Sequence, residues 1–171
     1  MVKNFSYSNA SMAAVISNAV AALVLVASTS YAAPPMPPDP SLTGQPLKFM
    51  ADLAPEEESH VVHSPATGFG EFTLDRETMM LSWRITYDKM TSSVIGAHAH
   101  GPQSPGGNAG VLFPLAKGVI SSPINGSFII NEGQLEYILT GRVYINIHTE
   151  KYSDGELRAP IMRISADSPA Q

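Results

Sequence analysis

Hydrophobic and polar residues alternate with a period of two through most of the chain after residue 46. The clearest run covers residues 81–88, where Leu, Trp, Ile and Tyr alternate with Ser, Arg, Thr and Asp. Side chains two apart on a strand lie on the same face, so this alternation predicts a strand with one buried face. Seven further short runs are typical of strands: 47–53, 70–74, 93–100, 111–115, 127–130, 142–148 and 156–164.

Clusters of Gly, Pro, Asn and Asp separate these runs, as in residues 101–108 and 123–126. Such clusters favour turns and loops. Only residues 131–139, where apolar side chains have helical spacing, predict a short helix. About eight short strands with little helix predict an all-β domain, either an antiparallel β-sandwich or a small barrel.

The first 32 residues have the pattern of a signal peptide. Lys3 is their only charged residue, and residues 19–27 form an apolar run. This run is too short to span a bilayer core about 30 Å thick. Ser30 and Ala32 place small residues where signal peptidase needs them for a cut after Ala32. We therefore expect export to the periplasm or the extracellular space, with an uncleaved membrane anchor as the alternative.

A proline-rich segment follows the predicted signal peptide. Residues 33–45 contain five prolines, which prevent both a helix and a paired strand and predict a stiff tether. The predicted organisation is a signal peptide at 1–32, a tether at 33–45, a β-domain at 46–166 and a tail at 167–171. No later segment is long and apolar enough to span a membrane once the signal peptide is removed.

The amino-acid composition excludes several classes of function. Lys+Arg number 10 against 15 Asp+Glu, for a formal net charge of -5, so we expect no nucleic-acid partner, since phosphate binding needs basic residues. The chain has no cysteine, which excludes disulfides, thiolate metal sites and cysteine nucleophiles. Motifs of serine hydrolases, phosphate-binding loops and dinucleotide folds are also missing. Candidate chemistry therefore rests with histidine, carboxylate and methionine.

Two of the five histidines share one face of a predicted strand. His98 and His100 are two residues apart, so their side chains point the same way. Ile95, Ala97 and Ala99 alternate with them and form the predicted core face. The histidine pair is therefore expected on the face turned away from the core.

A third histidine has the same placement on another strand. His148 shares a face with Tyr144 and Asn146, opposite the apolar residues at 143, 145 and 147. A His-x-His pair with one histidine from a neighbouring strand is a common way to hold a metal ion. Without thiolates, imidazole suits copper, zinc or nickel. The spacing alone favours surface or hydrogen-bonding histidines, with a metal site of His98, His100 and His148 as the alternative.

Three more residues are candidates for the same region. His60 and His63 follow a run of three glutamates and are three apart, so an extended strand would put them on opposite faces. They can join a metal site only if their segment turns or bulges. Glu156 follows Gly155 in a predicted hairpin turn. Its carboxylate is a candidate acceptor for the N–H of a ligand histidine, a contact that would orient the ring.

Three stretches of the chain carry a family resemblance. Residues 87–115 contain the sequence Gly-Ala-His-Ala-His-Gly-Pro at 96–102. Residues 141–149 read Gly-Arg-Val-Tyr-Ile-Asn-Ile-His-Thr and are followed by Gly-Glu-Leu-Arg at 155–158. With a looser match at 64–68, these stretches resemble the CHRD domain, a module repeated in chordin and found alone in many exported bacterial proteins.

The resemblance implies an all-β extracellular domain whose biochemical activity is largely undefined. The family's His-x-His motif falls on His98 and His100, and its Asn-x-His-Thr motif falls on Asn146, His148 and Thr149. The resemblance therefore implies that Asn146 and Thr149 accompany the histidines, as residues around the ligands.

The chain departs from the family pattern in two places. Ala159-Pro160 replaces the usual Gly-Gln, and because proline lacks an N–H we expect the last strand at a sheet edge. His60 and His63 stand where the family tends to have Pro- and Val-rich sequence. This second departure enlarges the predicted histidine cluster.

Two functions from different classes follow. We favour an exported, non-catalytic CHRD binding module that recognises an unidentified protein or metal partner, with copper or zinc coordinated by the histidine cluster. The alternative is a copper-dependent redox enzyme or copper-handling protein, in which His98, His100 and His148 leave one position open. The His-x-His strand in an exported sandwich is similar to copper-zinc superoxide dismutase, but the chain lacks that enzyme's cysteines and a recognisable zinc loop.

Overall fold

The computed structural model describes residues 44–164. The predicted signal peptide, the tether up to residue 43 and the predicted tail lie outside the described residues. The elements in chain order are β1 (Leu47–Leu53), a 3-10 turn (Pro55–Glu57), β2 (Thr67–Asp75), β3 (Met80–Asp88), β4 (Val94–His100), β5 (Val111–Ile120), β6 (Ile124–Ile129), α1 (Glu132–Leu139), β7 (Tyr144–Thr149), β8 (Leu157–Pro160) and β9 (Met162–Arg163).

The strands form two antiparallel sheets. Their orders are β6-β3-β2-β1-β9 and β5-β4-β7-β8. Neither sheet closes on itself within residues 44–164, so the predicted sandwich is confirmed and the barrel alternative is wrong. Each of the predicted runs overlaps at least one strand.

The last predicted run is divided between the two sheets. β8 pairs with β7, whereas β9 pairs with β1 in the other sheet. The chain crosses at Pro160 and Ile161, where the fully buried Ile161 donates its N–H to the carbonyl of Val143. Both β8 and β9 are edge strands, which confirms the edge predicted from Ala159-Pro160.

The core lies between the inward faces of both sheets. Leu81, Trp83 and Ile85 alternate along β3 and are buried, as the sequence predicts. On the other sheet, Ile145 and Ile147 of β7 are fully buried. Since side chains alternate across a strand, the polar residues between them lie on the outer face of the four-stranded sheet.

A bulge at the start of β4 changes one residue of the predicted core face. Ile95 is 42% exposed, whereas Val94 and Ala97 are buried, so the prediction for Ile95 is wrong. The pairing of β4 with both neighbouring strands shifts between Val94 and Gly96. An extra residue in a strand changes which side chains point inward, and only the start of β4 is affected.

The short helix forms where its pattern predicts it. Asn131 caps the helix by accepting a hydrogen bond from the backbone N–H of Gln134, at 2.9 Å, and the Gln134 side chain accepts the Asn131 N–H, at 3.0 Å. This reciprocal pair satisfies backbone donors that a helix leaves free at its start. Over residues 44–164 no helix has the length and apolar character needed to cross a membrane.

Gly126 of β6 leaves room for the Trp83 ring. A Cβ at Gly126 would lie 2.6 Å from Cζ2 of Trp83. The ring is buried and stacks on Phe113, so it cannot move away without disturbing the core. We expect Gly126→Ala to lower the free energy of unfolding by about 1–3 kcal/mol, as overpacking does, measured by urea denaturation.

Gly110→Ala is the matched control, because a Cβ there meets nothing within 4 Å. Its stability should equal that of the parent chain. Equal stability of the Gly126 and Gly110 variants would contradict the packing argument.

Candidate metal centre

The pairing of β4 with β7 brings the predicted histidines together. His148 is paired with Gly96, and His98 is paired with Asn146. All of these side chains project from the outer face of the four-stranded sheet. A Cβ on Gly96 would lie 3.3 Å from Cε1 of His98 and 3.8 Å from Cδ2 of His148. The missing side chain of Gly96 therefore lets the two rings lean toward each other.

The three imidazoles have separations close to those of ligands of one ion. Nδ1 of His98 lies 3.0 Å from Nε2 of His148. One ring nitrogen from each of His98, His100 and His148 lies within 4.8 Å of the other two. Nitrogens bound at 2.0–2.1 Å to a common ion lie at most about 4.2 Å apart. Ring movements of less than about 1 Å would therefore complete the set.

Two of the histidines have their tautomer fixed by backbone carbonyls. Nδ1 of His148 lies 2.9 Å from the carbonyl oxygen of Ser153, and Nδ1 of His100 lies 2.9 Å from that of Ala109. Because a carbonyl only accepts, each Nδ1 carries the hydrogen and donates it. Nε2 is then the nitrogen that each ring can offer to a metal. Such outer partners are usual for ligand histidines.

His100 is the most firmly held of the three rings. Only 9% of it is exposed, and its Nε2 lies 3.0 Å from the side-chain amide of Asn146. Because the ring hydrogen is on Nδ1, Nε2 accepts, and the amide must present its NH2 group to the ring. One face of the ring stacks on Tyr144, with 4.9 Å between centroids. The Arg158 guanidinium lies 3.7 Å from the Tyr144 ring centre. A metal bound at Nε2 would replace the contact with Asn146.

Burial lowers the pKa of both His98 and His148 below the ordinary histidine value. The neighbouring imidazoles lower the pKa of His98 further, whereas the Ser153 carbonyl acts in the opposite direction on His148. Both rings are therefore neutral near pH 7. Neutral imidazole is the form that binds a metal ion.

A cleft of about 400 Å³ opens beside the cluster. His100 and His148 lie in its wall together with the carboxylates of Glu58 and Asp154. Burial raises the pKa of Glu58, although the nearby charges of His60 and Arg158 oppose this effect. Among residues 44–164, Oε1 of Glu58 is buried without a hydrogen-bond partner.

The family model described as the CHRD domain matches residues 49–161. The chain belongs to the CHRD family. The match runs from β1 to Ile161 and contains every histidine of the cleft and cluster. Family membership supports a non-catalytic module. No curated protein matches the chain.

The other two predicted ligand histidines of this CHRD domain lie outside the cluster. His60 is exposed and lines the cleft, but it does not belong to the group of three nitrogens within 4.8 Å. His63 is exposed as well, and its backbone carbonyl accepts a hydrogen bond from the Tyr152 hydroxyl at 2.9 Å. The cleft therefore brings His60, and not His63, to the same side as His100 and His148.

Glu156 does not have the position expected of a histidine partner. The Ser153 carbonyl receives the His148 N–H instead. The Glu156 carboxylate is fully buried and accepts four hydrogen bonds at 2.6–3.0 Å, from the hydroxyl of Ser64, the hydroxyl and N–H of Thr91, and the hydroxyl of Thr149. Thr149 and Glu156 thus join the β7–β8 hairpin to two other segments of the CHRD domain.

Sequence reasoning missed Tyr144, Arg158 and Glu58 as site residues. The alternation of side chains along β7 already placed Tyr144 on the same face as Asn146 and His148, so its membership of the site could have been predicted. Arg158 follows Glu156 by two residues in a family motif, but its partners lie in the distant loop 103–108. Glu58 resembles any solvated glutamate of an acidic run, since its burial depends on contact with Gly155.

Glu156 makes the stability of the CHRD domain sensitive to acid. Burial raises the pKa of Glu156, but the hydrogen bonds from Ser64, Thr149 and Thr91 outweigh burial and lower it overall. A depressed folded-state pKa stabilises the fold above the unfolded value of about 4.3, and this contribution disappears as the pH falls through the folded value.

We expect Glu156→Gln to lower the free energy of unfolding at pH 7 by about 1–3 kcal/mol. The difference from the parent chain should shrink below about pH 4, because the parent carboxylate is then protonated too. Urea denaturation between pH 3 and pH 7 measures both effects. Glu150→Gln, at an exposed position of the same hairpin, should match the parent, and a pH-independent effect of Glu156→Gln would contradict the assignment.

Proposed function

We propose that this chain is an exported CHRD module that binds a copper or zinc ion through His98, His100 and His148. The observation that carries the proposal is the set of three ring nitrogens within 4.8 Å of one another. Export is proposed from the apolar run and the small residues around Ala32. The activity is binding of the ion, and no chemical reaction is proposed.

The donor set favours particular metals. Three neutral imidazoles without a thiolate suit copper and zinc. Divalent copper binds more tightly than zinc to most nitrogen sites. We therefore expect Cu(II) to compete successfully against Zn(II) for this centre.

The charge around the cleft supports binding of a cation. Glu58 and Asp154 line it with His100 and His148. The guanidinium of Arg158 also lines the cleft, but it stacks on Tyr144 and donates hydrogen bonds to the 103–108 loop. A cleft lined by carboxylates attracts metal ions and repels anionic substrates such as superoxide. This weighs against the dismutase-like alternative.

Removal of two ligands tests the proposal. We expect the parent protein to bind one Cu(II) with a Kd below about 100 µM and the His98→Ala, His148→Ala variant to bind more than about 100-fold more weakly. Calorimetric titration with Cu(II) and with Zn(II), together with elemental analysis, measures both. His63→Ala is the control because its exposed side chain lies outside the cluster. Equal, weak binding by the parent and the double variant would overturn the proposal.

Gly96 gives an independent test of the same geometry. A Cβ there meets the His98 ring at 3.3 Å, so the ring must move away from its position beside His148. We expect Gly96→Ala to keep the fold and to weaken metal binding by about 10-fold, the size of effect produced by changing residues that orient ligands. Unchanged affinity in the same titration would show that ring placement is not what sets the binding strength.

A further inference from the structure

The cleft beside the cluster carries one more imidazole. His60 is one of its lining residues, together with His100 and His148. The residue lies in the loop between the 3-10 turn and β2, and its side chain is exposed. An ion held by His100 and His148 would therefore lie beside a cleft that also contains His60.

The loop is fixed on both sides of His60. On one side, the Asn108 amide donates to the Ser59 hydroxyl at 2.9 Å. On the other side, the Ser64 hydroxyl donates to the buried Glu156 carboxylate at 2.6 Å. These anchors keep His60 at the cleft and reduce the entropy lost when its side chain becomes ordered.

Glu58 supplies an independent observation. Its Oε1 is buried without a hydrogen-bond partner, and a buried polar atom without a partner is costly. The carboxylate lies in the same cleft as His60. Ligand histidines commonly donate their second N–H to a carboxylate, which orients the ring. Glu58 is therefore placed to accept from His60.

We propose that His60 supplies the fourth imidazole to the ion held by His98, His100 and His148, with Glu58 as the acceptor that orients it. This inference rests on the proposed function. His60 lies outside the group of three nitrogens, so its exposed side chain must turn into the cleft when the ion binds.

A fourth protein ligand decides what kind of centre this is. Catalytic metal sites keep a position open for water or substrate, whereas four protein ligands close a site and leave it to hold the ion. With His60 bound, four imidazoles would complete the coordination of a tetrahedral Zn(II) ion. The centre then stores, carries or is stabilised by its metal.

Cu(II) is the probe for the experiment. The purified full chain is loaded with one equivalent of Cu(II), and pulsed electron paramagnetic resonance counts the coordinated imidazoles. We expect four in the parent and three in His60→Ala, with at least about 10-fold weaker binding in the variant.

His63→Ala is the matched control, since His63 is exposed on the same loop but is not in the cleft lining. It should behave as the parent both in the number of coordinated imidazoles and in affinity. His60→Gln repeats the test with a side chain that keeps the loop polar. Glu58→Ala should weaken Cu(II) binding by less than His60→Ala, because it removes only the orienting acceptor.

The outcomes separate this inference from the proposed function. If the parent binds Cu(II) through three imidazoles and His60→Ala has the same spectrum and affinity, the fourth ligand is wrong while the three-histidine site stands. If the parent does not bind Cu(II), both are wrong.

Discussion

The pairing of β4 with β7 is the interaction on which both the core and the site depend. Its ladder places Ala97 beside Ile147 and Ala99 beside Ile145, and all four side chains are fully buried. The same ladder fixes the outer face, because side chains alternate strictly across a strand. A slip of one residue would move the histidines inward and the core residues outward. The free energy of core burial thus holds the imidazoles in place.

Packing on the outer face adds rigidity to one end of the cluster. Tyr144 lies between the His100 ring and the Arg158 guanidinium. Arg158 is only 7% exposed, and its three hydrogen bonds to Gln103, Gly107 and Asn108 satisfy a charge that would otherwise be costly to bury. The loop that holds Arg158 also supplies the Ala109 carbonyl to His100. The Tyr144 ring, the Arg158 guanidinium and this loop therefore form one connected set of contacts that holds the His100 ring in place.

The alternation of hydrophobic and polar residues was sufficient to predict the strands and the sandwich. It also predicted that the three histidines lie on the face turned away from the core. It was insufficient where the chain breaks the period. Ile95 is exposed because of a bulge, and no residue type in that segment indicates a bulge. The crossing of the chain between the sheets at Ile161 depends on which strands are already paired. The partners of Glu156 could not be predicted either, since Ser64 and Thr91 come from segments far away in sequence. Contacts of that kind are set by the assembled sandwich.

The crossing at Ile161 has a counterpart on the opposite side of the sandwich. β5 and β6 are the edge strands there, one in each sheet, and only residues 121–123 connect them. β8 and β9 are joined through Ile161 alone. Short chain connections therefore join the two sheets at both pairs of edge strands. Neither sheet can slide across the other, and an edge strand that peels away to pair with another molecule must pull on the opposite sheet as well.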